Sequence, residues 1–197
     1  RDSPNCPICG GIGYLRRDVP TNHPDFGKIY PCSCRSEAIT KSARSRLFRM
    51  SSLDALKNLC FDNFEKRGRV GLGKLQADSL ENAYNQAKNF AENLEGWLLL
   101  MGRYGCGKTH LAAAIANHAI DAGVSTLFLT VPDLLDWLRY AYSGVEMSFE
   151  ERFEEIRESP LLILDDFGTQ NATAWAQEKI FQIMNHRYIN QLPTVVT

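Results

Sequence analysis

No run of about 18 or more apolar residues occurs in this 197-residue chain, so a membrane-spanning helix is not expected. The opening Arg1-Asp2-Ser3-Pro4 lacks the apolar core of a secretory leader, and it lacks an initiator methionine. The far end, Leu192-Pro193-Thr194-Val195-Val196-Thr197, stops like a strand cut before its next loop. Both ends read as those of a fragment, and a cytoplasmic location with no membrane partner is expected. Internal repeats and low-complexity segments are also lacking, which argues against a solenoid or a disordered tail. Net charge is scarce, at −1. It is unevenly placed, however. Residues 1–50 hold nine basic and four acidic side chains, and the remainder holds 13 and 19, so an arm of +5 precedes a body of −6. Such an arm suits either a separate partner or a solvated charged linker. The length allows one full domain, or one domain with a small module, and 44% apolar with 23% charged residues is ordinary for a globular chain.

Six cysteines are present, and four of them fall early: Cys6, Cys9, Cys32 and Cys34. The first pair lies in Cys-Pro-Ile-Cys-Gly-Gly, where the glycines let backbone N–H groups turn toward thiolate sulfurs. The second pair is Cys-Ser-Cys, tighter than the usual two-residue gap. Two such pairs suit a tetrahedral Zn²⁺ with four thiolates. His23, in the intervening loop, could replace one cysteine. The competing arrangement is two disulfides, which a reducing cytosol disfavours. The stretch from Gly13 to Tyr30 reads as two short strands of a ribbon, for which metal would supply most of the folding free energy. Cys60 reads as a small buried hydrophobe and Cys106 as a small side chain inside a loop.

Residues 35–57 read as a basic amphipathic helix, able to touch a partner or DNA phosphates or to pack on the following domain. Residues 75–93 read as a helix with Leu75, Leu80, Ala83, Ala87, Phe90 and Ala91 on one face. Strands are expected at 97–101, 125–130, 161–164 and 193–197. Helices are expected after residue 109, from Pro132 to Tyr140, over 148–158 and over 172–191. This alternation predicts an α/β fold with a parallel sheet covered by helices on both faces. The expected organisation is a zinc-binding module at 1–35, a basic helical linker at 36–57 and a nucleotide-binding domain at 58–197.

The most informative stretch is Gly102-Arg103-Tyr104-Gly105-Cys106-Gly107-Lys108-Thr109, a P-loop (Walker A) pattern between an apolar strand and a helix. Gly102, Gly105, Cys106 and Gly107 would let backbone N–H groups converge on phosphate oxygens, and the helix N-terminus adds partial positive charge. Lys108 would reach the β- and γ-phosphates and serve the chemistry there. Thr109 would bind Mg²⁺, and His110, the next residue, is taken with the same ATP- or ADP-binding set. About fifty residues on, Leu161-Leu162-Ile163-Leu164-Asp165-Asp166 is a Walker B pattern, four apolar residues delivering two carboxylates to a strand end. Asp165 would hold Mg²⁺ through water, and Asp166 would orient or deprotonate the attacking water.

The Gly96–Ala116 stretch, the Leu-Leu-Ile-Leu-Asp-Asp-Phe-Gly segment and Phe-Gln-Ile-Met-Asn-His-Arg-Tyr with Leu-Pro-Thr-Val-Val-Thr resemble the bacterial and phage helicase loaders. These are AAA+ ATPases of the DnaC/DnaI type, close to the IstB transposition ATPases. The resemblance covers residues 58–197. It implies an ATPase that loads the ring-shaped, hexameric replicative DNA helicase onto single-stranded DNA during replication initiation, with ATP timing release. It also implies self-association through the AAA+ domain. Two alternatives share the core: an IstB-like transposition ATPase, and a nucleotide-binding adaptor without productive hydrolysis. In such loaders a motif similar to Phe61-Asp62-Asn63-Phe64 lies beside the adenine, which points to Phe64. The N-terminal cysteine module grips the helicase in this family, and Trp137, Tyr140 and Tyr142 fall where loaders have helices near DNA; the same three residues equally suit core packing. The chain departs from the pattern in three ways. The polar sensor residue expected just beyond the fourth strand is absent, and so is the segment carrying an arginine finger. The helical position of Arg187 argues against that role, and Asp166 stands where many relatives have Glu. Weak hydrolysis is therefore expected.

Overall fold

The computed structural model describes residues 6–12, 14–16, 19–21, 23, 26, 28–33, 52–68, 71–141, 148–168 and 173–197. The chain divides into two compact units, residues 1–46 and 47–197.

In the first unit the cysteine knuckle closes through Gly10 N–H to Cys6 O at 2.8 Å and Ile12 N–H to Cys9 O at 3.2 Å. Two short antiparallel strands follow, β1 (Tyr14–Arg16) and β2 (Ile29–Pro31), with Leu15 opposite Tyr30. Period-two alternation turns Leu15 toward buried Cys6, Cys9 and Cys32, its packing partners, while Tyr14 and Ile29 are exposed. Cys34 lies outside the described residues.

The second unit opens with two 3-10 turns, Ser52–Ala55 and Phe61–Asn63. The described end of the expected 35–57 helix is thus a single tight turn, because Leu53, 1% exposed, is drawn into the core. The rest of that segment lies outside the described residues. Then come α1 (Lys74–Asn93), β3 (Trp97–Leu99), α2 (Lys108–Asp121), β4 (Thr126–Thr130), α3 (Val131–Ala141), α4 (Phe149–Arg157), β5 (Leu161–Asp165), α5 (Ala174–Ile189) and β6 (Thr194–Val196).

Helix starts are set by local hydrogen bonds. The Ser148 hydroxyl accepts the Glu151 N–H while the Glu151 carboxylate accepts the Ser148 N–H, and Thr173 Oγ1 accepts the Ala176 N–H. The α1 core face differs from the sequence reading. Ala77, Tyr84, Ala87, Phe90 and Ala91 are buried, whereas Leu75 is 86% exposed. Two residues from Ala77 is a rotation of about 200°, so Leu75 points away from the packed stripe.

The strands run parallel in the order β3-β6-β5-β4, with Leu162 opposite Thr194 and Leu127 opposite Leu162. All five residues of β5 are buried, as expected of a central parallel strand covered on both faces. Successive side chains feed opposite cores. Phe128, Leu161, Ile163 and Val195 join α1 and α2, and Leu127, Leu129, Leu162 and Leu164 join α3, α4 and α5. Helix α2 has the small side chains Ala112, Ala113, Ala114, Ala116 and Ala119 buried, which lets it sit deep against the sheet. The parallel sheet with helices on both faces is therefore present. Its C-terminal edge collects the ends of β3, β5 and β6.

Candidate functional site

The loop between β3 and α2 bends through left-handed glycines. Gly105 has φ 71° and Gly107 has φ 97°. A Cβ on Gly107 would come within 2.9 Å of the Phe64 ring, so glycine is required there on two counts. Lys108 Nζ lies across the loop and donates to Gly102 O at 3.1 Å and Arg103 O at 3.3 Å. Its ammonium is thereby held over the loop's own carbonyls. Cys106 is exposed on the loop.

Asp165 ends β5 and is 4% exposed. Thr109 Oγ1 lies 3.1 and 3.0 Å from its two carboxylate oxygens, and the Thr197 hydroxyl donates to Oδ1. Among the described residues no side-chain cation bonds Asp165. A buried carboxylate answered only by hydroxyls beside a hydroxyl-bearing helix start is a hard-oxygen donor set, of the chemistry Mg²⁺ takes. Asp166 is exposed and left-handed at φ 57°, so the chain turns sharply after β5 at a residue that reaches solvent.

Sequence reasoning missed Thr197. The sequence reading takes 193–197 as strand and finds no polar residue beyond it, whereas β6 ends at Val196 and the polar Thr197 follows directly. Its hydroxyl accepts Asp166 N–H at 3.2 Å, its N–H donates to Leu164 O at 3.0 Å, and its carbonyl accepts Phe167 N–H at 2.9 Å. The available signal is register: β6 is the parallel neighbour of β5, so the polar residue that follows Val196 arrives at the same edge as Asp165.

A cavity of about 1020 Å³ opens beside the loop, with Phe64, Leu72, Leu80, Met101 and His110 among its walls. The Phe64 ring stacks on Tyr84 with centroids 5.8 Å apart and lies edge-to-face against His110 at 5.0 Å. Gly102, Gly105, Cys106, Gly107 and Lys108 line the same space, so the loop, His110 and Phe64 are brought together.

The sulfurs of Cys6, Cys9 and Cys32 lie within 4.8 Å of one another. The Cys6–Cys32 separation is 3.8 Å, far beyond a disulfide bond. A tetrahedral ion with metal–sulfur bonds of about 2.3 Å places its sulfurs about 3.8 Å apart, so three buried soft donors fit zinc. His23 is exposed and stands outside this cluster among the described residues.

Of the residues weighed for DNA, Trp137 is half-buried against the second core, with the Arg152 guanidinium 5.0 Å from its ring centroid. The side chains of Tyr140 and Tyr142 lie outside the described residues. Arg187 is 0% exposed, which removes it as a finger reaching a neighbour.

A family model described as "IstB-like ATP binding protein" matches residues 35–197. The chain belongs to this IstB-like ATP-binding family. It is similar to the replicative helicase loader DnaC of Escherichia coli (strain K12), 27% identical over 168 residues, covering 81% of the chain and 65% of DnaC. It is also similar to the replicative helicase loader DnaI of Bacillus subtilis (strain 168), 32% identical over 109 residues, covering 54% of the chain and 34% of DnaI. The IstB-like chain thus spans less than two thirds of the length of these relatives. Among solved structures it overlays the DnaC helicase loader with TM-score 0.59 at 27% identity, covering 71% of the chain and 76% of the other. DnaI gives 0.53 at 32% identity, with 65% and 68% covered. DnaA bound to AMPPCP and single-stranded DNA gives 0.57 at 23% identity, covering 70% and 40%, and shares the AAA+ fold alone. No helix among the described residues is long and apolar enough to cross a membrane.

Proposed function

We propose that this chain is the nucleotide-binding part of a helicase loader, which binds a replicative DNA helicase and places it on single-stranded DNA under control of ATP. The observation that carries the ATP-dependent part is the Thr109–Asp165–Thr197 arrangement beneath a glycine loop, in a chain whose named relatives are helicase loaders. In this reading backbone N–H groups of Gly105 to Lys108 bind phosphate, and Lys108 exchanges its loop carbonyls for phosphate oxygens. Thr109 and Asp165 would hold Mg²⁺, which neutralises phosphate charge when bound. Asp166 orients the attacking water, and Phe64 stands beside the base. Cys6, Cys9 and Cys32, with Cys34 as fourth ligand, would hold Zn²⁺ and shape the module that meets the helicase. The domain would also self-associate, and Arg187, being buried, is not the residue that would reach a neighbouring copy.

Mixing the chain with a replicative helicase, in the presence and absence of Mg-ATP, tests the reading. A complex by size exclusion supports it. Lys108→Ala should weaken ATP binding at least about tenfold, through loss of charge-assisted bonds, and leave helicase binding intact. No complex with any replicative helicase tried, alongside a complex with a transposase, would assign the chain to transposition instead.

A further inference from the structure

Helix α2 is largely sunk in the core, yet it presents two polar side chains to one stretch of backbone. His110 and Asn117 are seven residues apart, and seven residues return to the same side of a helix. Asn117 Nδ2 donates to Leu56 O at 3.1 Å and to Leu59 O at 3.0 Å. His110 Nε2 lies 3.0 Å from Cys60 O and 3.0 Å from Asn63 Oδ1. The proton can be placed. The Cys60 N–H, which can only donate, points at Asn63 Oδ1 at 3.0 Å, so that atom is the amide oxygen. Both neighbours of Nε2 are therefore acceptors, and Nε2 carries a hydrogen. Asn63 Nδ2 in turn donates to Asn58 O at 2.5 Å and closes the turn. The segment from Leu56 to Phe64 is thus fastened to the same helix that begins at the phosphate loop.

The outcome of this fastening is the position of one ring. Phe64 is held edge-on by the His110 imidazole, is backed by Tyr84, and bears on Gly107 so closely that a Cβ there would clash. It is half-buried and forms a flat wall of the cavity next to the phosphate loop. A planar base whose phosphates sit on the loop would need such a wall.

We propose that His110 is a positioning residue for the nucleotide base: its Nε2–H bond to Cys60 O and its ring against Phe64 fix the wall on which the base rests, while the imidazole leaves the phosphates alone. This rests on the reading of the loop as an adenine-nucleotide site, and the test separates the two. ADP and inorganic tripolyphosphate, which has no base, are titrated calorimetrically into the full chain. The proteins compared are wild type, His110→Ala, His110→Gln, Phe64→Ala and the His110→Ala/Phe64→Ala pair. His110→Ala should weaken ADP about tenfold, the worth of one hydrogen bond and one aromatic contact, and change tripolyphosphate by less than about twofold. His110→Gln returns a donor without the ring and should recover to within about threefold of wild type. In the Phe64→Ala background the His110 substitution should add less than about twofold, because its route to the base is gone. Equal loss of both ligands would assign His110 to the phosphates or to general folding and overturn the proposal. So would an unchanged ADP affinity, or full additivity with Phe64→Ala. If wild type binds neither ligand, the nucleotide site itself fails and the inference falls with it.

Discussion

At the scale of single residues the site is built around the solvation of Asp165. A carboxylate taken out of water costs several kcal/mol unless donors or a cation answer it. Thr109 and Thr197 supply hydroxyls from α2 and from just beyond β6. Two neutral donors orient the carboxylate without cancelling its charge, so its affinity for a divalent ion is kept. Thr197 also accepts Asp166 N–H, so the same hydroxyl sets the turn that aims Asp166. Thr197→Val keeps the shape and removes both bonds. Under the proposed roles it should lower ATP turnover about tenfold, because the water-orienting carboxylate loses its anchor, with nucleotide affinity changed less than about twofold. Steady-state phosphate release and calorimetric ADP binding separate the two effects. A parallel fall in both would make Thr197 a prop for the phosphate loop instead.

At the scale of elements, Arg187 joins the last turn of α5 to the entries of β5 and β6. Its guanidinium donates to Thr194 Oγ1 at 2.9 Å, Arg157 O at 3.0 Å, Ser159 O at 2.8 Å and Pro193 O at 2.6 Å. Its partners are carbonyls and hydroxyls, and burial lowers its pKa to about 10, with the Glu158 carboxylate opposing. Arg187→Met would strand several buried carbonyls and should cost about 3 kcal/mol, read as a lower urea midpoint. The group is charged in both folded and unfolded chains up to about pH 9, so it adds no pH slope there. Above about pH 10 the folded chain sheds the proton first, the unfolded state binds more protons, and this term favours folding as pH rises. The Arg187→Met penalty should therefore be equal at about pH 7.5 and about pH 9. Little of this arrangement was legible in the sequence, and the reason is physical. The glycine loop, β5 and its two carboxylates declare themselves because each is a local pattern whose neighbours in sequence are its neighbours in space. Thr197 and Arg187 take their meaning from strand register and from loops about thirty residues away. Leu75 lies off the packed face because periodicity within α1 does not say which of two rows of apolar residues meets α2. His110 was legible as a member of the site, but its attachment to the 56–64 segment was not.

At the scale of the whole molecule, the two units differ in what can hold them together. Residues 47–197 have cores on both faces of a four-stranded sheet. The described part of the first unit has three buried cysteines with Leu15 packed against them and one three-residue strand pair. Burying one half-covered leucine contributes at most about 1–3 kcal/mol, against a backbone ordering cost of about 1 kcal/mol per residue. Apolar burial of that size among the described residues does not offset their ordering cost, whereas a structural zinc ion binds with about 10 kcal/mol or more. The proposed ion would then act on one unit only. Adding a strong chelator should release about one zinc per chain, measured with a colorimetric metal indicator, and expose residues 1–46 to limited proteolysis. Cys6→Ser, Cys9→Ser and Cys32→Ser should each do the same without chelator. Nucleotide affinity, which the proposed site assigns to Gly102–Thr109 and Asp165 in the second unit, should stay within about twofold under all these treatments. If the helicase contact is lost while nucleotide binding persists, the metal module carries the recognition. Proteolysis that stays unchanged after zinc leaves would mean that residues 1–46 owe their fold to contacts other than the cysteine cluster, and the thiolates would then need a different purpose.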